Sequence, residues 1–156
     1  MSIGSLYQYY PCKEALVAAV IDRHNQDIMQ VVRAAFAEVA LQPVEKAARK
    51  LIAVAIEAHR IDPKLHRVLA EQIPRTGRLE NVEAFNREAH ALFKSYLESH
   101  SDELRVADPR LAAFVCVTSI EALAHTAVLH SSAKLSDAAA EVLIDEATRL
   151  VIGYLK

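Results

Sequence analysis

The 156-residue sequence contains no tryptophan, only three glycines and five prolines, and just two cysteines. So few turn-forming residues disfavour an architecture of short strands and hairpins, while the abundance of Ala and Leu favours packed helices. Gly4, Gly77 and Gly153 are too scattered for a P-loop, a G-x-G-x-x-G turn or a G-x-S-x-G nucleophile elbow, which excludes the enzymes built on those motifs. Cys12 and Cys116 form no C-x-x-C pair, so neither a zinc knuckle nor a disulfide framework is indicated and a reducing compartment fits. The opening MSIGSLYQYYPCKEAL lacks the basic and apolar regions of a signal peptide, and no apolar run is read as approaching the roughly 18 residues of a membrane span. The expectation is a cytoplasmic protein with no membrane partner.

Charge of one sign is also lacking. Charged residues make up 24% of the chain and the net charge is -2, which describes neither a basic nucleic-acid arm nor an acidic tail. What is present is apolar bulk: at 53% hydrophobic, the chain can fill the core of one ordinary all-α domain. None of the seven histidines has the His or Glu neighbour required by H-E-x-x-H or by a di-metal bundle; the nearest approach is Glu121 with His125, one helical turn apart. Alone, that pair reads as a hydrogen bond, since a metal site needs further ligands. No metal, cofactor or catalytic residue is expected.

Helical periodicity runs almost end to end and is interrupted by recognisable punctuation. Ser2 to Tyr10 forms a short segment ending at Pro11. A long helix is predicted from about Lys13 to about Ala40, with Leu16, Val20, His24, Ile28, Val31, Ala35 and Val39 as its buried stripe. Pro43 opens a second helix, with Val44, Ala48, Leu51, Ala55, Ile56 and His59 on one side, stopping near Asp62-Pro63. A short helix carrying Leu65, Leu69 and Ile73 follows, then a loop around Arg75-Thr76-Gly77-Arg78. The next helix is capped by Asn81 and carries Val82, Phe85, Ala89, Leu92, Phe93 and Tyr96. Asp108-Pro109 is a cap and first turn, after which Leu111 to Val117 is apolar on every side; Ser136-Asp137 caps the last helix. These two terminal helices carry more apolar surface than one core stripe needs. Val128, Leu143, Ala147, Leu150, Val151 and Tyr154 are therefore candidates for a homodimer interface, the alternative being that both helices are central in a monomer.

The most specific pattern is Ser2-Ile3-Gly4-Ser5-Leu6-Tyr7-Gln8-Tyr9-Tyr10-Pro11-Cys12-Lys13-Glu14-Ala15-Leu16. Small residues at its leading end would let a helix backbone approach DNA closely, and Gly4, which costs a helix about 1 kcal/mol relative to Ala, then has a reason. Lys13 sits at a helix start, where free N–H groups and the helix dipole already favour a phosphate. An ordinary aromatic helix end is the bland alternative. The stretch resembles the recognition helix and following helix start of the TetR (tetracycline-repressor-like) family of bacterial transcriptional regulators. By that resemblance Ile3, Gly4, Ser5, Gln8 and Tyr9 match positions facing bases or nearby backbone, and Ser2, Tyr7 and Lys13 match phosphate contacts. The remainder looks like the family's helical ligand-binding and dimerisation domain. The implied organisation is a remnant of the helix-turn-helix domain over 1–13 and a ligand-binding and dimerisation domain over 14–156.

Two departures stand out. Cys12 occupies a position where the family commonly has a better N-cap, and the chain begins at the recognition helix without the helices that hold it. Poor DNA binding by the chain as it stands is the expectation; roughly 45 residues encoded in frame upstream of Met1 would supply the missing scaffold. The resemblance implies a regulator, with a repressor as the leading reading and an activator as the alternative, whose homodimer presents two recognition helices about 34 Å apart to operator DNA and is released by a small hydrophobic or aromatic effector. Polar or aromatic residues on otherwise apolar stripes are candidates for the effector site: His59, Gln72, Phe85, Phe93, Glu121 and His125. The competing readings are a stand-alone dimeric ligand-binding protein and a helical-bundle metal or cofactor enzyme centred on Glu121, His125 and His130.

Overall fold

A computed structural model describes residues 4, 8–10, 12–65, 67–68, 71, 79–129 and 135–156, with the side chains of 79–82 outside that description. Among the described residues the architecture is all-α: α1 (Lys13–Val39), α2 (Val44–Arg60), α3 (Leu79–Ser99), a 3-10 turn (Ser101–Glu103), α4 (Pro109–Leu129) and α5 (Asp137–Leu155). α2 is the spine. It packs against α1, α4 and α5, while α3 lies across α1 and α4; α4 and α5 touch each other only lightly.

The helix limits follow the local chemistry. Asp108 Oδ1 accepts from the backbone N–H groups of Arg110 (2.9 Å) and Leu111 (3.2 Å), and Ser136 Oγ accepts from Ala139 N–H at 3.2 Å, so both caps satisfy donors that a helix start leaves free. Cys12 is extended at the start of α1 and makes no side-chain cap, as its chemistry implies. Pro43 precedes α2, whose first amide, Val44 N–H, is taken up by Glu103 Oε2 at 3.3 Å. Two boundaries differ from the sequence reading. α2 stops at Arg60, two residues before Asp62, and α3 begins at Leu79, which puts Asn81 inside the helix rather than at its cap. Leu65, which the sequence placed on a short following helix, has its N–H bonded to Asp62 Oδ1 at 2.9 Å; Leu69 and Ile73 lie outside the described residues.

The core is built on the buried face of α2, where Val44, Ala47, Ala48, Leu51, Ile52 and Ile56 meet Phe93 and Leu97 of α3, Ala113, Cys116 and Ile120 of α4, and Ile144, Val151 and Leu155 of α5. Small residues at Ala47, Ala48, Ala112 and Ala124 let the helices approach closely, as interior packing density requires. The predicted stripe of α1 needs correction. Val20 and Val31 are exposed at 41% and 52%, and Ile21 and Met29 are buried instead. The end of the stripe holds, with Ala35 and Val39 buried, whereas Val20 and Val31 point away from the surface that α2 and α3 cover.

Polar ties hold the helices in register. Tyr96 donates its hydroxyl proton to Gln42 O at 2.7 Å and stacks on His100 at 4.2 Å, anchoring α3 to the α1–α2 turn; burial pushes its pKa up to about 12. Arg60, at the end of α2, bonds Glu57, Asp137 and the carbonyl of Leu135, fixing the approach to α5. α4 has the length and the mean hydropathy, 1.7, of a membrane span, contrary to the sequence reading, and a third of it is buried within the chain. Its inward face is Ala112, Ala113, Cys116, Ile120, Ala124 and Val128; Leu111 and Phe114 remain more than half exposed.

Candidate ligand-binding site

α1, α2, α3 and α4 do not close completely upon one another. Between them lies a cavity of about 230 Å³. Its walls are mostly apolar: Ile28, Val32 and Phe36 from α1, Leu51 and Val54 from α2, Phe85 and Phe93 from α3, and Val117 and Ile120 from α4. Phe36 and Phe93 meet edge to face with ring centroids 6.0 Å apart, an arrangement that aromatic quadrupoles favour. The walls also include Ala55, Ala58 and Ala89, whose small side chains leave room between the helices.

Polar groups interrupt this wall in one cluster. His59 is the buried polar residue of α2, 7% exposed. Its Nδ1 lies 2.8 Å from the carbonyl of Ala55 one turn back; a carbonyl only accepts, so Nδ1 carries the proton. That orientation turns Nε2 toward Glu121 of α4, 3.6 Å from Oε2. His125, one turn along α4, meets the His59 ring edge to face at 6.2 Å. His24 and Asn25 of α1 and Asn86 of α3 complete the polar part of the lining. Burial pushes the Glu121 carboxyl above its ordinary range, partly offset by His59, even though 42% of its side-chain surface stays accessible. The cavity supplies that accessible surface while protein encloses the group on its other sides. Burial likewise lowers His24, with Asp27 and Asp62 opposing it.

The structure thus brings five of the six effector-site candidates, His59, Phe85, Phe93, Glu121 and His125, around one cavity; Gln72 lies outside the described residues. It adds His24, Asn25, Asn86 and Phe36, which sequence reasoning did not single out. His24 could have been found, since it was a polar residue on an apolar stripe like the others. No group of three or more His, Cys, Asp or Glu among the described residues is placed to hold a metal, and His130 lies outside them, so the enzyme reading centred on Glu121, His125 and His130 gains no support. Cys116 is buried in apolar surroundings that push its thiol pKa up to about 12, which leaves it without nucleophilic character.

Residues 43–155 match the family model described as Tetracyclin repressor-like, C-terminal domain. The chain belongs to the tetracycline repressor-like family. No curated protein matches it. The TetR-like domain so matched begins at Pro43 and therefore includes three of the four cavity walls, with α1 preceding it.

Elsewhere in this TetR-like chain, Gly4, Gln8, Tyr9 and Lys13 are exposed, Tyr9 at 78%, while Ser2, Ile3, Ser5 and Tyr7 lie outside the described residues. The six dimer candidates divide. Leu150 and Tyr154 are exposed at 56% and 41% and Leu143 is half-buried, but Val128, Ala147 and Val151 are buried in the chain's own core. Side chains covered by their own chain offer little surface to a partner, so Leu143, Leu150 and Tyr154 are the more accessible members of that set. The outward apolar surface of α4 and α5 is Leu111, Phe114, Val142, Leu150 and Tyr154.

Proposed function

We propose that this chain is the sensing and dimerising part of a TetR-family transcriptional regulator, in which a small apolar or aromatic molecule in the α1–α4 cavity alters how α1 is held. The supporting observation is the cavity itself, an apolar chamber with one polar cluster, the usual form of a small-molecule site. α1 is its lever: Ile21, Ile28 and Phe36 touch the cavity along one helix, and Lys13, matched by resemblance to a phosphate contact, begins it. A ligand acts only through its different affinity for two placements of that helix, typically about 1–3 kcal/mol of coupling.

Dimerisation rests on the exposed apolar residues of α4 and α5, which a twofold partner would cover. The N-terminal residues Ser2, Ile3, Gly4, Ser5, Tyr7, Gln8, Tyr9 and Lys13 carry the DNA contacts in this reading, and the regulator is a repressor in the cytoplasm. Fluorescence anisotropy with DNA fragments flanking its own gene tests it, using the regulator with its complete helix-turn-helix domain; the chain as it stands is expected to bind poorly. Expected is sequence-selective binding that weakens steeply with salt and is released by a cavity ligand. Sequence-blind, salt-insensitive attachment overturns the DNA-binding part; with ligand binding intact, that outcome describes a stand-alone dimeric sensor.

A further inference from the structure

The polar lining of the cavity is chemically one-sided. Among the described residues it contains one carboxyl group, Glu121, three imidazoles, His24, His59 and His125, and two amides, Asn25 and Asn86, but no lysine or arginine. Among the described residues, the guanidinium groups of Arg33 on α1 and Arg60 on α2 are engaged elsewhere. Arg33 forms a two-pronged pair with Glu88, and Arg60 bonds Glu57 and Asp137. Among the described lining residues an anionic ligand would meet a carboxyl group and no lysine or arginine to offset it. A neutral ligand fits the apolar walls but adds no charge to set against the carboxylate beyond its 3.6 Å contact with His59.

The Glu121 contact with His59 points the same way. At 3.6 Å it is longer than a hydrogen bond, and with the proton of the neutral ring on Nδ1 the facing Nε2 is no donor, so the carboxylate keeps acceptor capacity for an incoming N–H. Lining the same cavity from α3 are Phe85, Ala89 and Phe93, which supply apolar and aromatic surface. Aromatic faces also attract cations.

We propose that the cavity is built for an amphiphilic cation, an apolar or aromatic body seated against Phe36, Phe85 and Phe93 with a protonated amine donating to Glu121. This rests on the ligand-binding reading above and specifies its ligand class. Binding should strengthen as the pH rises. Glu121, held protonated to higher pH than an exposed glutamate, must lose its proton to act as counter-ion. The titratable groups facing it from the other walls are His24 on α1 and His59 on α2, with His125 on α4 itself; among the described residues α3 contributes none to the lining. Asp27 and Asp62 beside His24 add negative charge near that wall throughout.

The test is calorimetric titration of the full chain with 3-phenylpropylamine, 3-phenylpropanol and 3-phenylpropanoate, which share one body and differ in head group. Charge-assisted hydrogen bonds predict that the amine binds about tenfold or more tightly than the alcohol near pH 7.5, with the carboxylate weakest. The amine-to-alcohol ratio shrinks near pH 5.5, and Glu121→Gln brings it to about one to twofold at both pH values. An alcohol or carboxylate that binds as tightly as the amine overturns the cation assignment alone, as does an unchanged ratio in Glu121→Gln. Failure of all three to bind overturns the ligand-binding reading as well. Should Glu121→Gln not fold, the ranking of the three probes on the native chain and its change with pH decide the matter.

Discussion

Leu150→Ala separates the two demands on α5. In the single chain Leu150 is 56% exposed, so rather more than half of its side-chain surface is available to a partner. Complete burial of a leucine is worth about 1.5–3 kcal/mol, which assigns about 1–1.5 kcal/mol to that remaining surface. A twofold interface uses each residue twice, giving about 2–3 kcal/mol per dimer, or about 30- to 150-fold in the dimer dissociation constant. Alanine retains the Cβ, which places the expected effect toward the lower figure. Sedimentation equilibrium over a range of chain concentrations measures it directly, and denaturant unfolding at a concentration where the chain is monomeric should show a smaller loss, about 1 kcal/mol, from the covered part of the side chain. A dimer constant unchanged by the substitution, or a chain that is monomeric at every concentration, refutes the assignment of this face.

Leu97, fully buried between helices, should cost about 2–5 kcal/mol as Leu97→Ala in urea unfolding, whereas Leu41→Ala, at a residue 97% exposed, should stay within about 0.5 kcal/mol; equal effects would contradict the packing described. Gly153 has nothing within 4 Å of where a Cβ would stand, so Gly153→Ala should raise monomer stability by about 0.5–1 kcal/mol in the same assay, and destabilisation would show a steric neighbour. Burial lowers the pKa of His24 and of His90 from the ordinary 6.5, so the unfolded chain binds more protons between each lowered value and 6.5. Stability should therefore fall as the pH drops through that window, and a His24→Gln, His90→Gln double variant should show a flatter dependence of the urea midpoint on pH; an equally steep curve would assign the effect to other groups.

The helix boundaries were legible wherever a side chain itself made the boundary. Asp108 and Ser136 cap their own helices through short local bonds, and a local bond is visible in a local sequence. Asn81 shows the opposite case: it has the right chemistry for a cap, but the helix starts two residues earlier. His59, Glu121 and His125 stood out because each interrupts an apolar row, and the fold gathers such interruptions where helices separate. Asn25 and Asn86 gave no signal, since an amide on a helix looks the same facing a cavity or solvent. Arg60 could not be anticipated either, because its partners Leu135 and Asp137 are more than 70 positions away. The division of α5 between core and outer face was illegible for another reason. Val151 and Leu150 are adjacent and equally apolar, and only the placement of α2 decides which is covered.

In the proposed function a small apolar molecule occupies the space among α1, α2, α3 and α4. Calorimetric titration of 3-phenylpropanol into the native chain and into Ala58→Phe, which places a ring in the cavity wall, tests it without reference to DNA, dimerisation or ligand charge. The account predicts saturable binding of one molecule per native chain and its loss in Ala58→Phe. No saturable heat with the native chain, or the same binding in both proteins, would contradict it.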